Sequence, residues 1–367
     1  MDWDLLCCCR ISRSFIDKPL VAKTLLSSYT SPSDIFNLKE RELVSLLPKY
    51  GKEIAEMFSP QGADKAAREL EWCQKFGITP IPIYDCRYPS KLRECVDAPL
   101  LLFKKGSIPL EGQRVVSIVG SRKATEYGRR VCDMIVERLA STTIKPVIVS
   151  GLAYGIDTFA HQAALRNGLK TIAVMGTGMT RLYPSGNRAL AGRIIKEGAL
   201  ITELFSDSSF YPAHFVARNR IIAGLSDAVI VCESAIKGGG LITASLGFDY
   251  GREVFAVPGR IGDVYSEGCN NLIKRDMAHI LSSMDDFFEV LNWKVNKRNV
   301  EQEILFPSID SNKSAIINVL RKENELNPHE IADLTGLSAE SVSINLIELE
   351  MENIITSSPS GRYSLRL

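Results

Sequence analysis

The sequence predicts an α/β fold whose centre is a parallel, doubly wound sheet, and three observations carry that expectation. From Val115 onward, short β-branched runs alternate with helical stretches with little interruption. The runs are continuously apolar, as strands are when helices cover both faces of a sheet. Nearly every run also exits into small or polar residues: Gly120-Ser121-Arg122, Ser150-Gly151, Gly176-Thr177-Gly178, Thr202-Glu203, Cys232-Glu233 and Pro258-Gly259. Such alternation implies right-handed βαβ crossovers. All of these exits then fall on the carboxyl edge, where open α/β sheets bind ligands.

In chain order, Met1 to about Cys73 reads as short helices, among them Val21–Leu26, Ser33–Phe36, Glu40–Leu47 and Ala63–Phe76. Caps such as Ser33 and breaks such as Pro48-Lys49 separate them. Some small helical modules hold DNA through hairpins with paired glycines. That pair is missing here, so residues 1–76 are expected to form a scaffold or interaction domain. Ile78–Ile83 and Pro99–Phe103 look like entry strands to a domain spanning residues 77–290. Its central strands are expected at Val115–Val119, Val147–Ser150, Thr171–Met175, Ala199–Thr202, Ala228–Cys232 and Glu253–Val257. Helices are expected between them, at Tyr127–Ala140, Thr158–Asn167, Asn187–Glu197, Phe215–Leu225 and Leu241–Tyr250. Residues 291–312 are polar and charged and read as a linker.

Residues 313–367 follow as a separate unit. Helices are expected at Ala315–Arg321, at Pro328–Leu334 with proline in the first turn, and at Ala339–Met351. Ile354–Thr356 and Arg362–Leu365 then flank Pro359-Ser360-Gly361 as a hairpin, which completes a winged-helix layout. The helix that would read DNA carries Glu340, Glu348 and Glu350 and no Lys or Arg. A duplex backbone repels such a face, so a protein-contact or regulatory role is expected of it.

A chain of 367 residues holds two or three domains, and its formal net charge is +1. There is no global polycation, so any nucleic-acid field must be local. The 9 cysteines lack CxxC spacing and are expected to be buried thiols in a reducing compartment, not metal ligands. No signal peptide is evident, and no apolar run reaches the roughly 18 residues of a membrane span. A cytoplasmic protein without a membrane partner is expected.

No catalytic set assembles. His161, His214, His279 and His329 are scattered. Asp157 opens a helix, where capping is the expected role, and Glu203 and Glu233 sit at strand ends without an obvious nucleophile. The binding features are stronger. At Gly120-Ser121 the backbone can approach a ligand closely, the next helix offers N–H groups and a positive dipole end, and Arg122 suits a phosphate. Arg218, Asn219 and Arg220 open another helix; at least one arginine is expected in the carboxyl-edge groove while the other pairs internally. Lys237-Gly238-Gly239-Gly240 leads to Thr243 without NTPase-loop spacing, and no turn has the dinucleotide GxGxxG pattern. No cofactor or metal is expected. Phe215 and Tyr183 are candidates for base stacking, and Arg181, Pro184 and Asn187 would extend the groove.

Several separate motifs agree in order: Val119-Gly120-Ser121-Arg122, Ser150 to Asp157, Arg218 to Ser226, Gly240 to Ala244, Val257-Pro258-Gly259 and Gly268 to Ile273. Over about residues 75–290 the chain closely resembles the bacterial DNA-processing protein A family, DprA or Smf. The resemblance implies an extended Rossmann-like domain that dimerises and binds single-stranded DNA, with a SAM-like helical domain before it. It further implies protection of incoming DNA, loading of the RecA recombinase in natural transformation, and no enzymatic step. The candidate DNA- and phosphate-binding set is Gly120, Ser121, Arg122, Ser150, Gly151, Gly155, Gly176, Phe215, Arg218, Asn219, Arg220, Lys237, Gly239, Gly240 and Thr243. The Lys237 loop has glycine where the family more often places a serine, which removes one hydroxyl contact. The alternative is a Rossmann-like hydrolase of nucleoside monophosphates. Those enzymes place a glutamate soon after the loop threonine, whereas here no carboxylate follows Thr243 until Asp249. A duplex-reading regulator is opposed by the acidic helix.

Overall fold

The computed structural model describes residues 2–294, 311–323, 325–351, 354–358 and 361–365. Met1–Asn296 packs as one unit and Lys297–Leu367 as a second. In the first, the apolar runs become β1 (Thr79–Pro82), β2 (Leu101–Gly106), β3 (Val115–Val119), β4 (Val147–Ser150), β5 (Thr171–Val174), β6 (Ala199–Thr202), β7 (Ala228–Val231), β8 (Glu253–Ala256) and β9 (His279–Ile280). They form one sheet in the order β1-β2-β6-β5-β4-β3-β7-β8-β9. Every pairing from β6 across to β9 is parallel. The entry strands pair antiparallel, β1 with β2 and β2 with β6.

Helices accompany these strands, beginning with the N-terminal α1 (Trp3–Ser14), α2 (Pro19–Ser27), α3 (Pro32–Ile35), α4 (Glu40–Leu46), α5 (Gly51–Phe58) and α6 (Pro60–Lys75) and, after β1, α7 (Ser90–Glu94), with α8 (Glu126–Ala140) and α9 (Ile156–Arg166) after β3 and β4. Then come α10 (Arg188–Glu197), α11 (Pro212–Ala217), α12 (Asn219–Leu225), α13 (Gly239–Asp249), α14 (Glu267–Lys274) and α15 (Met284–Val290). The single helix expected over Phe215–Leu225 is two, broken at Arg218. Alternate residues of each central strand enter different cores. Val115, Val119, Val147, Val149, Val229 and Val231 pack on one side with Ile221, Leu225 and Leu272. Val116, Ile118, Ile148 and Ile230 pack on the other with Ile135, Val136, Ala160 and Phe287. Each such side chain contributes about 1.5–3 kcal/mol on burial, which is why the runs lack polar alternation.

The N-terminal helices share the first of these cores: Ile11, Phe15, Ile35, Leu43 and Ile54 belong to the same cluster as Ile81, Leu100 and Leu102. Arg10 is tied down inside, donating to the Met57 carbonyl at 2.7 and 3.0 Å and lying over the Phe36 ring. Eight cysteines are buried and Cys86 is exposed. No described helix is long and apolar enough to cross a membrane.

The second unit contains α16 (Ser311–Lys322), α17 (Pro328–Thr335), α18 (Ala339–Met351), β10 (Ile355–Ser357) and β11 (Tyr363–Leu365), the strands paired antiparallel. Asn327 and Glu330 form a capping box on α17, and Gly336 ends it in the left-handed conformation. Ile316, Leu320, Ile331, Val342, Leu346 and Ile355 make its core. Most of the expected linker, residues 295–310, and Pro359-Ser360 of the hairpin turn lie outside the described residues.

Candidate nucleic-acid interface

The site grows from two glycine loops pressed together. After β3 the chain runs through Gly120-Ser121-Arg122, and after β7 it runs to the opening turn of α13. A Cβ on Gly120 would lie 2.7 Å from both the Glu233 carbonyl oxygen and Ile156 Cγ1, and one on Gly240 would lie 3.1 Å from Gly120 Cα. Only glycine permits that approach.

Beside these loops an open groove of about 600 Å³ runs along the carboxyl edge. Gly120, Ser121, Arg122, Phe215, Arg218, Asn219, Gly239, Gly240 and Thr243 of the expected set line it, with Lys123, Tyr183, Phe210, Ile242 and Tyr265. Its lining cations are Arg122, Lys123 and Arg218, and its one lining carboxylate is Asp157. The rim is therefore basic and open. Arg122 and Lys123 are exposed, whereas Arg218 is only 5% exposed. The Arg218 guanidinium lies on Gly151, where a Cβ would fall 1.6 Å from Nη1, and its Nε and Nη1 have no hydrogen-bond partner. Burial pulls its pKa down to about 10, opposed by Asp157, so it is charged at neutral pH. Burial likewise pushes the Asp157 carboxyl up, with Arg218 and the backbone amides of Ala153 and Gly151 holding against it.

The expectation that the helix after Gly120-Ser121 offers free amides needs correction, whereas Asp157 caps the next turn as expected. At α8, Thr125 caps Gly128, while the Glu233 carboxylate accepts from the Thr125 amide at 2.9 Å and from its hydroxyl. At the β4 turn, Asp157 accepts from the Gly151 and Ala153 amides at 3.2 and 3.3 Å. Carboxylates of this chain already occupy both places. By contrast, α13 opens without a side-chain cap and without an acidic residue in its first turn.

The remaining expected residues stand behind the groove or outside it. Ser150 is buried and donates to the Ile118 carbonyl at 2.6 Å, which joins β4 to β3. Gly151 lines a small recess with Arg122, Tyr154, Tyr183 and Phe215. Gly155 adopts φ +78°, and a Cβ there would meet the Ser121 carbonyl at 2.2 Å. Gly176 backs Phe215, whose ring would be 2.7 Å from an added Cβ. Arg220 is a second correction: it turns inward and donates to Glu203 at 2.5 Å. Lys237 is exposed but does not line the groove. Glu203 and Glu233 are thus spent on structure, and Asp249 lies at the far end of α13.

Sequence reasoning missed the full aromatic wall. Tyr183, Phe210 and Phe215 meet edge to face, with centroids 5.1, 5.2 and 5.4 Å apart, and Arg181 lies over Phe210. Phe210 sits in a polar, irregular stretch with no periodicity to mark it, and Lys123 follows Arg122 directly.

Comparison with known proteins bears on the family and the fold. Residues 79–292 match the family model for DNA recombination-mediator protein A. The DNA processing protein DprA of Streptococcus pneumoniae is 44% identical over 201 residues, covering 55% of this chain and 70% of that one. The Bacillus subtilis DprA is 39% identical over 251 residues, covering 68% and 81%. Protein Smf of Escherichia coli is 34% identical over 305 residues, covering 81% and 80%. Among solved structures, DprA from Streptococcus pneumoniae superposes with a TM-score of 0.57 at 36% identity, over 69% of this chain and 93% of that one. DNA processing protein A from Helicobacter pylori, whose structure is described as showing a single-stranded DNA binding mode, gives 0.53 at 27% identity over 60% and 97%. A mostly parallel sheet with one glycine-lined basic groove, matched over 79–292, makes this chain a member of the DNA recombination-mediator protein A family, the DprA and Smf proteins.

Proposed function

We propose that the protein binds single-stranded DNA along the carboxyl-edge groove, protects it, and helps load the RecA recombinase during natural transformation and recombination. It acts in the cytoplasm, without catalysis or a cofactor. The observation that carries this reading is the pairing of a cationic floor, including Arg218 with its Nε and Nη1 free of hydrogen bonds, with a wall of three aromatic rings. Arg122, Lys123 and Arg218 suit a phosphate chain, and each stacked base adds about 1–3 kcal/mol. The single-stranded DNA binding mode named for the Helicobacter pylori relative supports the same reading. A homodimer through the Rossmann-like domain is best served by the sheet's open edge at β9, where Ile280 is 49% exposed.

Fluorescence anisotropy with single- and double-stranded oligonucleotides at two salt concentrations tests the proposal. Arg122→Ala is expected to weaken single-strand binding about tenfold or more and to reduce the salt slope by roughly 0.7, the share of one phosphate. Unchanged affinity and slope would remove this groove as the binding site.

A further inference from the structure

The aromatic wall covers one flank of the groove; on the opposite, β8 side the loop between β8 and α14 reaches the groove through Tyr265. Its base is clamped. Asn270 holds Gly259 from both sides, accepting from its amide at 3.2 Å and donating to its carbonyl at 3.1 Å. Tyr127 donates to the Pro258 carbonyl at 3.0 Å, and the Tyr265 carbonyl accepts from the Ser234 amide at 2.7 Å. From this rigid base, Tyr265 and, on α13, Ile242 line the groove itself. The tip projects apolar side chains into solvent: Ile261 is 102% exposed and Val264 60%. Gly262, at φ +91°, makes the bend between them. Arg260 and Asp263 are both exposed and opposite in charge, so the tip offers no net cation to a phosphate.

We infer that the loop Pro258–Ser266 is the second, base-facing wall of the groove and selects unpaired strands over duplex. The inference rests on the proposed single-strand binding and names the part of the ligand this flank contacts. A duplex turns its phosphates outward and keeps its base faces stacked inside, so apolar tips beside a cationic floor gain nothing from it. An unpaired strand lies with phosphates on Arg122 and Lys123 and offers its base faces to both flanks. Base stacking on aromatic and apolar side chains tolerates any sequence, because every base has a π-face.

The test uses the full chain, a fluorescent oligothymidylate, and a strand of equal length built of abasic sites. The double substitution Ile261→Ser, Val264→Ser changes only exposed side chains and leaves the fold intact, which thermal unfolding verifies. It is expected to weaken thymidylate binding about tenfold, with an unchanged salt slope and unchanged binding to the abasic strand. Tyr265→Ala is expected to act in the same direction. Equal thymidylate affinity in wild type and both variants, or a loss shared by the abasic strand, would overturn the inference while leaving the groove as the binding site. Failure of the wild-type protein to bind either strand would instead remove the reading of the groove, and this inference with it.

Discussion

Gly120 and Gly151 show how one residue type serves two ends. A methyl on Gly120 meets backbone and a packed isoleucine, neither of which can swing away. Gly120→Ala is therefore expected to cost about 1–3 kcal/mol, read as a lowered denaturation midpoint. A methyl on Gly151 meets first the end of the Arg218 side chain, which can turn aside. Gly151→Ala is expected to displace the guanidinium and weaken strand binding, with a smaller loss of stability than Gly120→Ala. His161 gives a pH signature. It is wholly buried, its Nδ1 is 2.7 Å from the Thr171 hydroxyl, and its Nε2 has no partner. Burial lowers its pKa from 6.5 to about 3, with Arg218 adding to the effect. The folded state thus binds fewer protons than the unfolded chain between those values. The stability contribution is full above pH 6.5 and is lost as pH falls from there towards 3. His161→Leu should flatten the fall of melting temperature across that window; an unaltered slope would assign it to other groups.

At the carboxyl edge, the N-terminal turn of α13 is open to a ligand where those at α8 and after β4 are not. α8 and the β4 turn are closed by Glu233 and Asp157, whereas α13 begins with glycines and no cap. Gly239 has open space around its Cα and an ordinary backbone conformation, so a side chain fits there. Gly239→Asp, at the first helical position of α13, should add a favourable dipole interaction of roughly 0.3–1 kcal/mol. It should also place a carboxylate beside the groove and repel a polyanion. A raised melting temperature with weakened strand binding is the expected pair of results; raised stability with intact binding would exclude α13 from the interface. The N-terminal helices make a different point. Because Ile11, Phe15 and Leu43 share a core with Leu100 and Leu102, a chain starting at residue 77 is expected to expose apolar surface and aggregate. The boundary expected at residue 76 would then mark a change of secondary structure within one folding unit, and a soluble, cooperatively unfolding 77–294 fragment would establish autonomy instead.

For the molecule as a whole, Lys297–Leu367 has its own core of Ile316, Leu320, Leu346 and Ile355. A chain ending at residue 294 is therefore expected to fold and to keep its single-strand affinity within about threefold, a difference of less than the 1.4 kcal/mol that makes a factor of ten. A larger loss would assign DNA contacts to the second unit, against the acidic character of α18.

The order of strands and helices was legible because burial on both sheet faces demands unbroken β-branched runs, and such runs at Val115, Val147, Ala199 and Ala228 need no distant partner to be recognised. The glycine loops were legible too, since chain reversal beside a ligand restricts residue choice locally. The β9 strand and helices α14 and α15 escaped notice, being too short for periodicity to speak. Tertiary structure alone decided which charges face the groove. Arg218 and Arg220 are two residues apart on a helical path, so they project to different sides, and Glu203, at the end of another strand, claims Arg220. Glu233 likewise closes α8 from a position 108 residues beyond Thr125. Local pattern determines what a segment becomes; the partner of a buried charge depends on strand order, which brings distant residues together only after the sheet has formed.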